Sequence, residues 1–145
     1  MPMTFEYPAL ALTAIDGDSV AAVLILGDKG LRHYDVERVI VRLHGIDTPE
    51  LRRDERERPA ARHCLQAARG WLERHPCKQC KVVSLGMDKF AGRIDGEIVA
   101  SNGDRLGQWM LDSGFANVLG PDGKRDVWTD EELTAILKLP IEGTP

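Results

Sequence analysis

Apolar positions in the first third of the chain predict β-strands. Residues 10–15 and 19–26 are aliphatic and β-branched, and they flank an Asp-Gly-Asp tripeptide at 16–18 that is typical of a hairpin turn. A more polar segment at 27–34 leads into 37–46, where Val39, Val41 and Leu43 occupy alternate positions. A proline and a run of charged residues follow, so we expect the third strand to end there.

The apolar spacing changes after Pro59 and predicts a helix of about four turns. Proline is well suited to the first turn of a helix, because the amide hydrogen that it lacks would have no partner there. The apolar residues recur every three or four positions, at Ala61, Cys64, Leu65, Ala68, Trp71 and Leu72. Pro76 is expected to end this helix.

The second half of the chain predicts two more strands and two short helices. The strands are expected at 81–85 and 94–100. A helix at 106–113 is closed by Gly114, and a last helix opens on a capping-box pattern at 129–132. Five strands with about three helices indicate an α+β fold built on a small β-barrel, and we expect one domain over residues 1–145.

Composition and cysteine content limit the class of protein. The chain has 145 residues, of which 43% are hydrophobic, and it contains no apolar run long enough to span a bilayer. Its first residues make a poor signal peptide. Three cysteines are an odd number, which favours a reducing compartment, and we therefore expect a cytoplasmic protein. A secreted form whose signal has been removed is the alternative.

The charge is unevenly distributed along the chain. The net charge is -4, which does not favour binding of nucleic acid over a large surface. However, nine basic and four acidic residues lie between positions 51 and 81, whereas three basic and six acidic residues lie from 122 to the end. A polyanion is therefore expected to approach the middle of the chain. Mixed, solvated charges on the surface are the alternative explanation.

Carboxylates stand where two predicted strands meet loops, at 16–18 and 47–50. If neighbouring strands bring Asp18 and Asp47 together, they offer oxygen ligands to a hard cation such as calcium. Glu50 could then hold or deprotonate a water molecule. Taken alone, either segment is also compatible with an ordinary turn or a helix cap. An arginine at a central strand position, Arg42, requires an acidic or phosphate partner if it is buried.

Three segments together resemble the signature motifs of the staphylococcal nuclease (thermonuclease) family. They are Asp-Gly-Asp-Ser at 16–19, the stretch 42–50, and Asp-Lys-Phe-Ala-Gly-Arg at 88–93, in the family's order and at fitting separations. The resemblance covers residues 9–120. It implies a five-stranded OB-fold barrel with an active site on one side.

The resemblance also implies a role for individual residues. Asp18 and Asp47 correspond to carboxylates that bind calcium, and Thr48 supplies a backbone carbonyl. Glu50 corresponds to the proposed general base. Arg42 and Arg93 correspond to the two arginines that bind the scissile phosphate, and Lys89 belongs to a substrate-binding segment. The implied function is a calcium-dependent endonuclease that hydrolyses DNA, RNA or both, and that leaves 3′-phosphates.

The chain departs from the family pattern in the third motif. Ala91 is an insertion, and Phe90 replaces the usual tyrosine, which removes a hydroxyl group from that segment. The first motif differs only by Ser19, which replaces a threonine and keeps a hydroxyl group. The positions where the family uses tyrosine to hold nucleotide carry no tyrosine here. These changes predict weaker or differently built nucleotide binding. The better-known members of the family are basic, whereas this chain has a net charge of -4, so we also expect weaker binding with a shallower dependence on salt.

Two other functions compete with this hypothesis. The domain could bind nucleic acid or a protein partner without hydrolysis, as degenerate copies of this domain do. Alternatively, Cys77 and Cys80 form a C-x-x-C pair that could hold a structural zinc ion, although one such pair is insufficient by itself. We expect a monomer with calcium as its cofactor. The sequence does not determine a preference for DNA over RNA.

Overall fold

A computed structural model of the chain describes residues 5–30, 33–52, 54–87, 92–119 and 127–141. The strands are β1 (Phe5–Asp16), β2 (Ser19–Gly30), β3 (His33–Leu43), β4 (Ile46–Asp47), β5 (Cys80–Met87), β6 (Arg93–Ala100) and β7 (Asn117–Val118). The α-helices are α1 (Arg58–Arg74), α2 (Leu106–Asp112) and α3 (Asp130–Leu137), and the short 3-10 helices are Glu55–Glu57 and Cys77–Gln79. No helix in the described ranges has the length and apolar character needed to cross a membrane.

Five of the strands close into a barrel, in the order β1-β2-β3-β6-β5. Neighbouring strands are antiparallel except for β3 and β6, which are parallel. The prediction of an α+β fold with a five-stranded barrel and three α-helices is therefore confirmed. The pairing of β4 with β7 in a separate two-stranded sheet was not predicted, because strands of two residues carry no periodicity.

Two boundaries in the first third differ from the predictions. The polar segment at 27–34 largely continues the β2–β3 hairpin, because backbone pairing accommodates its polar residues through register shifts after Ile25 and Asp28. The third strand ends at Leu43 instead of residue 46. Gly45 has φ +75°, a left-handed conformation that glycine adopts readily, and it turns the chain before β4.

Helix α1 covers one side of the barrel and supplies a large part of the core. It packs against β1 and α3, and its buried face includes Cys64 and Trp71, which are 0% and 1% exposed. Met110 of α2 is also fully buried, whereas Trp109 is partly buried and packs against the core. Cys64 and Trp71 lie at positions that the three-and-four spacing predicted as one apolar stripe. Burying a large apolar side chain completely contributes roughly 1.5–3 kcal/mol.

The turn between β1 and β2 lies directly against α1 and the loop after β4. A Cβ atom added to Gly17 would stand 2.8 Å from Cys64 Cβ and 2.8 Å from Thr48 Oγ1. Real Cβ atoms do not approach other atoms this closely, so only glycine fits at this position without displacement of a neighbour. The turn that carries Asp18 is therefore held in place by packing from behind.

We predict that Gly17→Ala lowers the free energy of unfolding by about 1–3 kcal/mol, because the new methyl group overpacks this contact. Gly27→Ala is the matched control, since a Cβ atom there meets nothing within 4 Å. It should change stability by less than about 0.5 kcal/mol. Denaturant unfolding of both variants measures the difference, and equal stabilities would contradict the packing argument.

Candidate active site

A cleft of about 440 Å³ opens on the side of the barrel where β1, β2, β3 and the start of β6 meet the loop after β4. Its lining is formed by Ile15, Asp16, Asp18, Ser19, Ile40, Arg42, Glu50, Leu51, Arg52 and Arg93. Four residues that the sequence analysis assigned to a site therefore line one cleft: Asp18, Arg42, Glu50 and Arg93.

Asp18 is a buried carboxylate of this cleft with several hydrogen bonds. It follows the turn after β1 and is only 2% exposed. Its Oδ1 accepts a hydrogen bond from Ser19 Oγ at 3.2 Å, and its Oδ2 accepts one from the backbone N–H of Thr48 at 3.4 Å. Its own backbone carbonyl accepts from the N–H of Leu43 at 2.8 Å. Through its backbone and its side chain, Asp18 thus connects the first turn of the barrel to the ends of β3 and β4.

Arg42 forms an ion pair with this carboxylate. Its Nη1 lies 3.0 Å from Asp18 Oδ2, and the arginine side chain is 13% exposed. Its Nη2 donates a second hydrogen bond, to the carbonyl of Ile46 at 3.3 Å. The acidic partner that a shielded arginine on a central strand requires is therefore Asp18.

Asp47 and Thr48 lie buried beside the cleft, at 4% and 0% exposure. Asp47 belongs to β4, and its Oδ2 accepts a hydrogen bond from Trp128 Nε1 at 3.1 Å. Within the described part of the chain, the buried Thr48 Oγ1 has no hydrogen-bond partner. Trp128 thus belongs to the core and also contacts this carboxylate.

A buried glutamate, which the sequence analysis missed, supports Glu50. Glu57 ends the 3-10 helix Glu55–Glu57 and is 3% exposed, although it lies in a run of charged residues. Its Oε1 accepts a hydrogen bond from the backbone N–H of Glu50 at 3.3 Å. Nothing in the local pattern separates it from the exposed charges around it. Glu57 is buried because of the position that the loop takes in the tertiary structure.

Arg93 begins β6, pairs in register with Ile40 of β3, and lines the cleft together with Arg42. Parallel pairing of β3 with β6 is what places the two arginines on the same side of the barrel. Lys89, and with it the inserted Ala91, falls in residues 88–91, outside the described part of the chain.

The thiol of Cys64 lies behind the first turn and is fully buried. Its Sγ donates to the carbonyl of Phe115 at 3.4 Å. Burial raises the pKa of the Cys64 thiol far above its ordinary value, and the negative charges of Asp16 and Asp18 raise it further. A neutral buried thiol is neither a nucleophile nor a metal ligand, so its role is packing.

The donors around the cleft suit a hard cation. Two nearly buried carboxylates, Asp18 and Asp47, lie beside the cleft, and Arg42 is paired with Asp18. Among the described residues, no group of three or more His, Cys, Asp or Glu side chains is placed so that it could hold a metal ion. Calcium also accepts backbone carbonyls and water, so a pair of carboxylates is chemically compatible with it.

The C-x-x-C pair formed by Cys77 and Cys80 gives weaker grounds for a metal site. Cys80 is buried, and its Sγ donates to the carbonyl of His75 at 3.1 Å. His75 itself contacts Asp104, with Nε2 and Oδ2 2.9 Å apart, and stacks on Trp71. The side chain of Cys77 is outside the described part of the chain. The zinc hypothesis therefore stays a prediction without structural support among the described side chains.

Comparison with protein families agrees with the geometry of the cleft. The sequence model of the family described as staphylococcal nuclease homologue matches residues 40–137, which is more than half of the chain. The chain belongs to the staphylococcal nuclease homologue family. A search of curated proteins finds no match. Membership in this family, together with the barrel, places the chain among nuclease-like and nucleic-acid-binding domains.

We predict that the ion pair of this nuclease-like cleft stabilises the fold. Arg42→Met should lower the free energy of unfolding by about 2–3 kcal/mol, because it leaves the buried Asp18 carboxylate without its charged partner. Arg38→Met, an exposed position on the same strand, is the control and should change little. A double-mutant cycle with Asp18→Asn measures the coupling, and a coupling near zero would contradict this role.

Proposed function

We propose that this staphylococcal nuclease homologue hydrolyses phosphodiester bonds of DNA, and of RNA as a second substrate, in a calcium-dependent reaction. One observation carries the proposal. Asp18, Arg42, Glu50 and Arg93 come from separate segments of the chain and line the same cleft. This arrangement combines acidic groups with two guanidinium groups, and such a combination suits phosphodiester hydrolysis.

Arg42 and Arg93 are the proposed phosphate-binding groups. In-line attack on a phosphodiester increases the negative charge on the two non-bridging oxygens. Guanidinium groups are planar and permanently charged, and they can donate two parallel hydrogen bonds to phosphate oxygens. Arg42 is already oriented by Asp18 and the carbonyl of Ile46, so little side-chain freedom is lost when it contacts substrate.

Glu50 is the proposed general base. It would accept a proton from a water molecule whose oxygen forms the new bond to phosphorus, while the bond from phosphorus to the 5′ oxygen breaks. The departing oxygen takes a proton from solvent, and a 3′-phosphate remains on the other fragment. The hydrogen bond from the Glu50 N–H to the buried Glu57 supports this function, because it restrains the loop that presents the base.

Asp18, Asp47 and the backbone carbonyl of Thr48 are the proposed calcium ligands. A calcium ion bound there supplies positive charge that lowers the cost of the anionic transition state. The support is the chemistry of the donors, namely two carboxylates at 2% and 4% exposure, of which Asp18 also accepts the backbone N–H of Thr48. Lys89 remains proposed as a substrate-binding residue.

Exposed arginines offer a path for the nucleic acid beyond the cleft. Arg52 lines the cleft itself, and Arg58, Arg62 and Arg69 are exposed on α1 at a spacing that places them on one side of the helix. Phosphates that flank the cleaved bond would meet this side. The proposal agrees with the excess of basic residues in the middle of an otherwise acidic chain.

We predict that calcium supports cleavage of labelled single-stranded and double-stranded DNA and that a chelator abolishes it. Glu50→Gln, Arg42→Ala and Arg93→Ala should each lower kcat by about 10²–10³-fold, because each removes a group that acts on the transition state. Initial rates at saturating substrate provide the measurement. Arg38→Ala, on the same strand as Arg42 and exposed, should retain the rate of the unmodified protein.

Two results would contradict the proposed mechanism. One is full cleavage in the presence of chelator, and the other is an unchanged rate in Glu50→Gln. Tight binding of DNA with calcium but without cleavage, in the unmodified protein, would instead favour a non-catalytic binding module.

We predict that the arginines of α1 contribute to binding through phosphate charge. In a Glu50→Gln background that prevents turnover, Arg58→Gln with Arg62→Gln should weaken DNA binding. The slope of log K against log salt should become shallower by about 1–2, because each lost phosphate contact contributes about 0.7–0.9 to it. Fluorescence anisotropy at several salt concentrations measures this slope.

Lys78→Gln with Lys138→Gln removes the same charge from exposed positions elsewhere and is the control. Equal slopes for the two double variants would show that only net charge matters, and would contradict a phosphate path along α1.

A further inference from the structure

Trp128 brings the segment just before α3 into contact with the candidate site. The indole is 3% exposed and stands two residues before α3. Its Nε1–H donates to Asp47 Oδ2 at 3.1 Å, in a buried hydrogen bond between residues 81 positions apart. A buried indole N–H needs an acceptor, but the core also offers neutral backbone carbonyls. This one contacts a carboxylate instead.

Arg56 fixes the backbone that carries this indole. Its Nη2 donates to the carbonyl of Trp128 at 2.6 Å, and its Nη1 lies 2.8 Å from Asp130 Oδ1. The next residue, Thr129, caps α3 in a reciprocal capping box with Glu132. The indole therefore approaches Asp47 from a segment that is held on both sides, and its direction is determined by contacts outside the cleft.

Among the contacts described above, the two buried carboxylates at the site accept from different kinds of donor. Asp18 is paired with the charged guanidinium of Arg42, whereas Trp128 offers Asp47 a neutral donor. A neutral N–H restricts the rotation of a carboxylate but does not cancel its charge. Hydrogen bonds of this kind to metal-binding carboxylates orient them and affect metal affinity about 10–100-fold.

We propose that Trp128 is a positioning residue that orients Asp47 for a divalent cation. This inference rests on the proposed function, since it takes Asp47 as a calcium ligand. The indole holds one carboxylate oxygen, so the carboxylate has less rotational freedom to lose when the cation binds. The proposal extends the site to the segment that carries Trp128. In this proposal the Arg56 contacts help to orient the indole in addition to docking α3.

The test replaces the donor and keeps the ring. Trp128→Phe removes the N–H but retains most of the apolar volume, and calorimetric titration with calcium should show about tenfold weaker binding. Trp109→Phe is the matched control, because Trp109 packs against Phe115 and Arg74 instead of the candidate ligands. It should bind calcium like the unmodified protein. Unchanged or tighter binding in Trp128→Phe would overturn the proposal.

A second measurement requires no calcium and no activity. In the metal-free protein, the Trp128 indole N–H signal in NMR should exchange slowly with solvent, and Asp47→Asn should shift it more than Asp18→Asn does. Fast exchange would overturn the contact itself.

A third measurement uses Arg56→Gln, which keeps the indole but removes the hydrogen bond to the carbonyl of Trp128. This variant should also bind calcium more weakly, by a smaller factor than Trp128→Phe. No change in this variant would count against the proposal even if Trp128→Phe failed to fold.

The outcomes separate the inference from the proposed function. If the unmodified protein binds calcium and Trp128→Phe binds it equally well, the positioning role is wrong and the calcium site stands. If the unmodified protein binds no calcium, the proposed function fails at the metal, and the positioning role fails with it.

Discussion

The ion pair between Arg42 and Asp18 is the interaction on which the arrangement of the cleft depends. A guanidinium that is 13% exposed requires an anionic partner, and Asp18 at 2% exposure requires a cation as much. Because the same carboxylate accepts the N–H of Thr48, the pair connects the first turn of the barrel, the end of β3 and the segment after β4. These segments form much of the cleft wall.

Support from behind keeps these groups in place. Gly17 allows the first turn to pack on α1 and Thr48 without an intervening side chain. The short 3-10 helix before α1 then holds two further segments, since Glu57 accepts from the Glu50 N–H and Arg56 donates to the carbonyl of Trp128. Side chains that are restrained by rigid neighbours lose less entropy when they bind a charged substrate, so this packing prepares the cleft for its proposed chemistry.

Much of the fold could be predicted because it depends on local patterns. The apolar stripe of α1, the capping box at Thr129 and the five barrel strands all follow from spacing along a single element, and the structure confirms them. The extension of the β2–β3 hairpin was missed, because its polar residues are stabilised by pairing with the other strand. The early end of β3 was missed because Gly45 acts through its backbone conformation.

The candidate site divides in the same way. The sequence alone identified the candidate site residues, since recognisable motifs contain Asp18, Arg42, Glu50 and Arg93. Only the tertiary structure decided that Arg42 pairs with Asp18, that Glu57 is buried under Glu50, and that Trp128 reaches Asp47 across 81 residues. Motifs encode short-range spacing, whereas these contacts exist because the barrel closes and α1 brings distant segments together.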